Sequence, residues 1–317
     1  MEDRNNGEGP LCGFAHDASS GDPDGDGDTD LFACGILLEN DGLGNFTIHR
    51  YVDENWRGIE QLSNPMSSLL TDLNNDGFDD ILVWNFDNRS QWSDADEGYI
   101  YLSNGSPDIE SWSRLGIPHG PFGFDNNKYN FAASGDLNVD GFNDVVVAIT
   151  RPDPYYEGAY LQILINNGQG ALLDETARRF PNQPRAEAHH GEGNLYLRDM
   201  NGDGITDIIH STRDYKSAFD GAHIAINDGA GNFDSIQRNR LPRQPQPNSC
   251  QPWQDCVARE SIEKALPIDA DKEGCLDFIS TAGDFSTPPA FGQQGNRDER
   301  IYLYTVINKR CDLPRDF

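Results

Sequence analysis

Residues 136–144 of the chain read DLNVDGFND, and the apolar run VVVAI follows directly at 145–149. Carboxylate or amide side chains occupy positions 1, 3, 5 and 9 of this nine-residue phrase, and glycine occupies position 6. Such spacing lets one tight turn gather oxygen ligands around a hard cation, for which Ca²⁺ is the natural choice. The stretch therefore predicts a calcium loop that leads into a β-strand.

The same phrase occurs four more times along the chain. Residues 22–30 read DPDGDGDTD, 72–80 read DLNNDGFDD, 199–207 read DMNGDGITD and, in a weaker form, 269–277 read DADKEGCLD. We number the phrases loops 1 to 5 in chain order, so that 136–144 is loop 3. Successive loops begin 50, 64, 63 and 70 residues apart. A unit repeated at this period indicates one array of similar structural units.

The sequence around the loops predicts strands on both sides. An EF-hand loop lies between two amphipathic helices, whereas β-rich runs follow these loops and short strands precede them. A third strand comes later in most units and ends in a turn such as NDGLGNF at 40–46 or NDGAGNF at 227–233. Because Asn-Gly and Asp-Gly turns join antiparallel strands, each unit is predicted to be a four-stranded antiparallel sheet.

Taken together, these features resemble the FG-GAP or VCBS repeat family, which includes the integrin alpha-chain propeller. Residues 130–147, NFAASGDLNVDGFNDVVV, carry the resemblance most clearly. It implies an all-β fold, a calcium-binding β-propeller whose ion loops join the first and second strands of each blade. We expect a single domain over 1–317, with repeat units that start near 13, 66, 129, 193 and 262. Five loops favour five blades; the alternative is a partial ring completed by another chain, because an open ring exposes strand edges.

The family pattern also implies ligands for four to five Ca²⁺ ions. Side chains at positions 1, 3, 5 and 9 and the backbone carbonyl at position 7 would coordinate each ion. Loop 5 matches least well, because Glu273 is longer than the usual Asp and Lys272 lies inside the loop. The implied ligand positions are Asp22, Asp24, Asp26, Asp28 and Asp30; Asp72, Asn74, Asp76, Phe78 and Asp80; Asp136, Asn138, Asp140, Phe142 and Asp144; Asp199, Asn201, Asp203, Ile205 and Asp207; and Asp269, Asp271, Glu273, Cys275 and Asp277.

A second set of candidates lies in the segments predicted at the opposite face, between second and third strands and between units. These segments are long and contain aromatic and cationic side chains suited to a sugar or a protein loop. The candidate ligand contacts are Trp56, Arg57, Trp92, Tyr155, Tyr156, His189, His190 and Tyr215. The two adjacent histidines would point to opposite faces of a strand, so they do not predict a zinc or acid-base site.

Composition restricts the partners and the compartment. The net charge of −29 disfavours nucleic acid and anionic membranes, and no apolar run approaches the roughly 20 residues of a membrane helix. Six cysteines without a CxxC pair predict disulfides and an extracellular or cell-surface location. The proposed strand order pairs Cys12 with Cys34, Cys275 with Cys311 and Cys250 with Cys256. No secretion signal is present, so export would require a removed leader or another route.

The sequence therefore predicts an extracellular, calcium-stabilised module for binding or adhesion, with a glycan or a protein as partner. Two other functions remain open. The chain could be a polysaccharide lyase or hydrolase that works in the propeller funnel, or a self-assembling subunit of an extracellular filament. No catalytic residue is assigned, and the identity of the ligand is not specified.

Overall fold

The computed structural model describes residues 17–51, 65–85, 98–123, 126–151, 157–183, 194–212, 221–237, 265–269, 272, 275–283 and 301–306. In these ranges the chain forms nineteen β-strands, one short α-helix and one 3-10 turn. No helix in the described part of the chain has the length and apolar character needed to span a membrane.

The strands form five sheets in chain order. Sheet 1 contains β1 (Ser19–Gly21), β2 (Asp30–Ala33), β3 (Ile36–Asn40) and β4 (Phe46–Arg50); sheet 2 contains β5 (Pro65–Thr71), β6 (Asp80–Asn85), β7 (Gly98–Leu102) and β8 (Ser113–Gly116). Sheet 3 contains β9 (Lys128–Gly135), β10 (Asp144–Arg151), β11 (Glu157–Asn166) and β12 (Leu172–Asp174); sheet 4 contains β13 (Leu195–Arg198), β14 (Asp207–Thr212), β15 (Gly221–Asn227) and β16 (Phe233–Gln237). Sheet 5 contains β17 (Ala265–Ile268), β18 (Asp277–Gly283) and β19 (Ile301–Val306). The 3-10 turn is Ile109–Ser111, and helix α1 is Thr176–Arg179.

Each sheet is an antiparallel meander in which neighbours in sequence are neighbours in space. In all five sheets, the predicted ion loop joins the first strand to the second, as loop 3 does between Gly135 of β9 and Asp144 of β10. The strand order predicted from the sequence is therefore confirmed through the third strand of sheet 5. In sheet 1 the second and third strands meet at a two-residue turn, Cys34 and Gly35, whose φ angles of +54° and +75° suit a tight hairpin.

Strand β10 shows why the run after loop 3 is apolar throughout. Val145 and Val147 belong to the core shared with sheet 2, whereas Val146 and Ala148 belong to the core shared with sheet 4. All four side chains are fully buried. A strand covered on both faces carries a continuous apolar run instead of an alternating one. Sheets 2, 3 and 4 are accordingly stacked face to face.

Three cores join the first four sheets in sequence order. Phe32 and Trp112 contribute to the core between sheets 1 and 2. Between sheets 2 and 3, the rings of Trp84 and Tyr129 lie with centroids 6.2 Å apart. The core between sheets 3 and 4 includes Val146 and Ala148 of β10 and Ile208 of β14. Because strands β1, β5, β9 and β13 also lie side by side in that order, the architecture is propeller-like, and the all-β prediction is confirmed.

Two of the six cysteines lie in the described ranges, and both are disulfide-bonded. Cys34 is in the turn after β2, and Cys275 is in loop 5. Their predicted partners, Cys12 and Cys311, are outside the described residues. Those pairings, and the pairing of Cys250 with Cys256, stay predictions.

Candidate metal centres

Aspartate at position 1 closes each of the first four loops through backbone N–H groups. In loop 2, Asp72 Oδ1 accepts from Asp76 N at 3.3 Å, and Asp72 Oδ2 accepts from Gly77 N at 3.0 Å. The corresponding distances from Asp136 in loop 3 are 3.1 and 2.9 Å. Glycine stands at position 6 because its φ is +91° in both loops, a left-handed conformation unfavourable for other residues. The position 1 carboxylate is therefore turned into the loop.

Positions 3 and 5 bring further oxygens to the same turn. Asp76 N donates to Asn74 Oδ1 at 3.1 Å as well as to Asp72, so oxygens of positions 1 and 3 surround one N–H. Asp76 Oδ1 itself accepts from Phe78 N at 3.0 Å. Loops 3 and 4 repeat the contact between positions 3 and 5 at 3.0 Å. Three oxygen-bearing side chains thus converge in one turn, which suits a hard cation.

Aspartate at position 9 ties the loop to the third strand of its own sheet. Asp144 is fully buried, and its two oxygens accept from Leu137 N at 3.0 Å and from Asn166 N at 2.9 Å. The equivalent contacts, at 2.8 to 2.9 Å, join Asp80 to Leu73 and Ser103, and Asp207 to Met200 and Asn227. The predicted ligand at this position therefore also organises the sheet.

Burial raises the pKa of these position 9 carboxyl groups above the ordinary value of 3.8. The pKa of Asp80 rises to about 7, and those of Asp144 and Asp207 rise to about 6. Loss of hydration on burial is the main cause of the raised pKa. The two N–H donors lower the pKa, whereas the carboxylates at positions 1 and 5 raise it further. A cation in the loop would favour the ionised form.

Loop 1 differs from the next three loops at position 2, where Pro23 has no N–H to donate. Asp30 Oδ1 accepts from Asn40 N at 2.7 Å, but the fully buried Asp30 Oδ2 has no hydrogen-bond partner. Carboxylate oxygens of Asp22, Asp24 and Asp30 lie within 4.8 Å of one another. An unpaired buried oxygen in a group of carboxylates is a position that a divalent cation would satisfy. The donor set of loop 1 thus fits a metal ion.

The side chain at position 7 has a packing role that the sequence did not reveal. A Cβ atom added to Gly105 would lie 2.7 Å from the ring of Phe78, and one added to Gly168 would lie 3.0 Å from the ring of Phe142. Each ring therefore covers the glycine of the turn that follows the third strand. The predicted carbonyl ligand at position 7 belongs to a residue anchored by its side chain.

Residues that the sequence analysis did not single out connect neighbouring loops. Asp22 N donates to Asp79 Oδ2 at 2.8 Å, and Asp79 N donates to the carbonyl of Asp22 at 3.0 Å. Asn143, which occupies the same position 8 in loop 3, donates to the carbonyl of Asp72 at 3.2 Å. In the sequence, the only indication of these contacts was a polar residue before the last Asp of loops 2 and 3. The loops form one connected surface from sheet 1 to sheet 3.

A second connection uses the residue that opens each turn after the third strand. Asn166 Nδ2 donates to the carbonyl of Leu73 in the preceding loop at 2.7 Å, and Asn227 Nδ2 donates to the carbonyl of Leu137 at 2.7 Å. In sheet 2, Ser103 Oγ makes the equivalent bond to the carbonyl of Pro23 at 2.6 Å. We call this contact the inter-sheet clamp. Its sequence signal was the recurrent Asn at the start of the NDGxGNF turns.

Loop 5 is described only in part. Asp269, Cys275 and Asp277 lie in the described ranges, whereas Asp271 and Glu273 lie outside them. Asp277 is fully buried like the other position 9 residues. Lys272 has a φ of +61°, close to the +60° of Val139 at the same position of loop 3. The backbone of loop 5 thus shares one conformational feature with a better-matching loop.

The eight candidate ligand contacts all fall outside the described residues. These are Trp56, Arg57, Trp92, Tyr155, Tyr156, His189, His190 and Tyr215. Their assignment to a binding face stays a prediction.

Comparisons with known proteins agree with the repeat geometry. A family model described as FG-GAP-like repeat matches residues 136–210, which contain loops 3 and 4. Integrin alpha-2 of Bos taurus is 28% identical over 181 residues, and integrin alpha-2 of Mus musculus is 27% identical over 181 residues. Residues 136–210 are thus similar to the FG-GAP-like repeat family. The resemblance stated from the sequence is confirmed.

The coverage of these FG-GAP-like matches is partial. The integrin alpha-2 alignments span 55% of this chain, but only 15% and 14% of the two relatives. Among solved structures, the crystal structure of the V. cholerae biofilm matrix protein Bap1 is similar at a TM-score of 0.31 and 16% identity, over 68% of this chain and 27% of that chain. A similarity that low supports no argument about this chain.

Proposed function

We propose that the chain is an extracellular, calcium-stabilised module for binding or adhesion. The observation that carries the calcium part is the buried, unpaired Asp30 Oδ2 beside Asp22 and Asp24. Ca²⁺ would supply positive charge to loops 1 to 5, held by the residues at positions 1, 3, 5 and 9 and the carbonyl at position 7. The same loop geometry in sheets 2 to 4 supports four to five such sites.

The connections at the two ends of the sheets support different functions for the two faces. At the loop end, eight residues separate the first and second strands of every sheet. At the other end, the second and third strands are joined by residues 34–35, 86–97, 152–156, 213–220 and 284–300. Constant length suits a shared mechanical task, and variable length on a rigid scaffold suits recognition. We therefore assign binding of a glycan or extracellular protein to the face opposite the ion loops.

The similarity to integrin alpha-2 over 181 residues favours adhesion over catalysis. The disulfide bonds of Cys34 and Cys275 favour an extracellular or surface location. The acidic charge of −29 opposes nucleic acid as a partner.

We further propose that the five sheets form one ring, a single domain over 1–317. Ile81, Val145 and Ile208 each follow a position 9 Asp, face the preceding sheet and are fully buried. Leu31 holds the equivalent place in sheet 1 and is 42% exposed. An exposed apolar residue at this repeated core position favours a further sheet packed against sheet 1.

Sheet 5 offers the complementary surface. Leu266 pairs with Ile279 as Leu69 pairs with Leu82, and Leu69 faces the following sheet. Leu266 is 47% exposed. Contact between this side of sheet 5 and Leu31 would bury both apolar surfaces and close a five-bladed ring.

The test of function is an array of glycans and extracellular proteins probed with the full chain in Ca²⁺ and in chelator. We expect saturable binding that requires Ca²⁺, accompanied by a chelator-induced fall in melting temperature. Release of soluble products from a polysaccharide would instead indicate an enzyme. Polymers that grow with protein concentration would indicate a filament subunit.

A further inference from the structure

The first four loops differ in how they satisfy the carboxylate at position 9. In loops 2, 3 and 4, one oxygen of this Asp accepts the N–H of position 2, at 2.9, 3.0 and 2.9 Å. Position 2 is Leu73, Leu137 and Met200 in these loops, but Pro23 in loop 1. Proline removes the donor, so Asp30 Oδ2 is the one position 9 oxygen among these four loops that is buried without a partner. In loop 1, a bound cation would take the place of the missing donor without a change of backbone.

Loop 1 also carries more negative charge. Position 3 is Asp24 where the other three loops have Asn, and position 7 is Asp28 where they have Phe or Ile. Loop 1 thus has five Asp residues at its odd positions, and loops 2 to 4 have three each. The affinity of such loops for Ca²⁺ rises with the charge of the ligand set. The higher charge and the unpaired oxygen both favour tighter cation binding by loop 1.

Loop 1 lies at the junction between sheets 1 and 2. Asp22 N donates to the carboxylate of Asp79 in loop 2 at 2.8 Å, and Asp79 N donates to the carbonyl of Asp22 at 3.0 Å. The carbonyl of Pro23 accepts from Ser103 Oγ at 2.6 Å. Positions 1 and 2 of loop 1 are therefore held by sheet 2. An ion that orders loop 1 also orders this junction.

From these contacts we infer that loop 1 is the tightest divalent-cation site of the chain, and that its occupancy fixes the junction of sheets 1 and 2. The inference rests on the proposed calcium function. It makes Pro23 and Asp30 the residues that distinguish the loops. The ion at loop 1 binds first, and loops 2 to 4, whose position 9 oxygens are already paired, fill at higher concentration.

The test is a calorimetric Ca²⁺ titration of the chelator-treated full chain with its disulfides intact. In Pro23→Leu, loop 1 regains the N–H that loops 2 and 3 have, and we expect the tightest step to weaken by about tenfold, the size expected for one buried hydrogen-bond deficit. Asp24→Asn, which copies position 3 of the other loops, should weaken the same step. The matched control, Asn74→Asp in loop 2, should leave that step intact and tighten a later one.

The ordering of the junction between sheets 1 and 2 is measured by amide hydrogen exchange at limiting Ca²⁺. The first equivalent should protect the amides of Asp22 and Asp79 before those of Asp136 and Gly141 in loop 3. The inference is wrong if the tightest binding step is unchanged in both Pro23→Leu and Asp24→Asn, or if the amides of loop 3 are protected first. Either result would still be compatible with Ca²⁺ binding by the chain. A wild-type chain that binds no Ca²⁺ would overturn the proposed function as well.

Discussion

Aspartate at position 9 combines two tasks in the same side chain. Asp144 holds the loop to the third strand through Asn166 N and presents a carboxylate beside the predicted ion ligands of loop 3. Burial makes this carboxyl group costly to ionise when no cation is present. The residue therefore links the stability of the sheet to protonation of the loop and to the proposed cation.

The first prediction concerns pH. The folded-state pKa values of about 6 for Asp30, Asp144 and Asp207 and about 7 for Asp80 exceed the ordinary 3.8. The ion-free folded state thus binds protons more tightly than the unfolded state, and this stabilising effect is complete below about pH 4 and is lost as pH rises through 6 to 7. We expect the melting temperature in chelator to fall between pH 5 and pH 8.

Saturating Ca²⁺ should reduce or reverse this slope, because the cation replaces the proton as the partner of the carboxylate. Asp144→Asn should flatten the slope measured in chelator. The control is Asp41→Asn, because hydrogen bonds from the Asn45 side chain and from backbone N–H groups lower the pKa of that exposed carboxyl group. A melting temperature in chelator that rises from pH 5 to pH 8 would contradict the prediction.

At the scale of elements, the sheets are joined by apolar cores and by the inter-sheet clamp. Asn166 is 3% exposed and donates to two carbonyls, that of Leu73 in the preceding loop at 2.7 Å and that of Asn143 at 3.0 Å. Apolar contacts alone tolerate small shifts of one sheet over another, whereas paired hydrogen bonds define one register. The clamp therefore sets where each loop lies on the next sheet.

The second prediction is that Asn166→Ala lowers the free energy of unfolding by about 2 to 4 kcal/mol, because it leaves buried carbonyl groups unpaired. Urea unfolding in saturating Ca²⁺ measures this loss. Asn104→Ala is the matched control, since exposed Asn104 donates within its own sheet to Ser111. Equal stability of the two variants would show that the clamp contributes little.

At the scale of the whole molecule, closure of the ring concerns the two ends of the array, and partner binding concerns one face of it. Leu31 and Leu266 are exposed apolar residues at opposite ends of the array. The predicted ion loops occupy one end of the sheets, and the segments of variable length begin at the other. Closure of the ring and recognition of a partner are thus separable by mutation.

The third prediction tests the ring. Leu31→Asp should lower the melting temperature and increase the radius of gyration measured by X-ray scattering, because a charge would be placed in the proposed seam between sheets 1 and 5. Leu43→Asp is the control, as Leu43 is 82% exposed at a turn tip. If Leu31→Asp has the stability and dimensions of the control, the five-bladed ring is wrong.

The fourth prediction tests the binding face with a ligand from the array. Replacing Trp92, or Tyr155 and Tyr156 together, by Ala should weaken binding by about 1 to 3 kcal/mol, as expected for aromatic anchors. Calcium-dependent melting should stay unchanged. The control, Val139→Ala, alters an exposed side chain on the ion-loop face. If the aromatic variants bind normally and Val139→Ala loses binding, the ligand binds the ion-loop face, contrary to our proposal.

The sequence by itself determined the repeated loop, the strand order and the all-β class, because the loop depends on ligand spacing within one turn and the strands on local patterns of apolar and turn residues. Spacing alone places positions 1, 3 and 5 around the same backbone amides. The apolar run after loop 3 likewise indicated a buried strand without any knowledge of its neighbours.

The tertiary structure decided which residues hold the units together. Asp144 meets Asn166 across 22 residues, and Asn166 meets Leu73 across 93. The consequence of Pro23 was equally hidden, since a missing N–H matters only once Asp30 Oδ2 is known to be buried beside it. Contacts between distant residues depend on how sheets pack, and packing reflects the sum of many side chains, which no local pattern encodes.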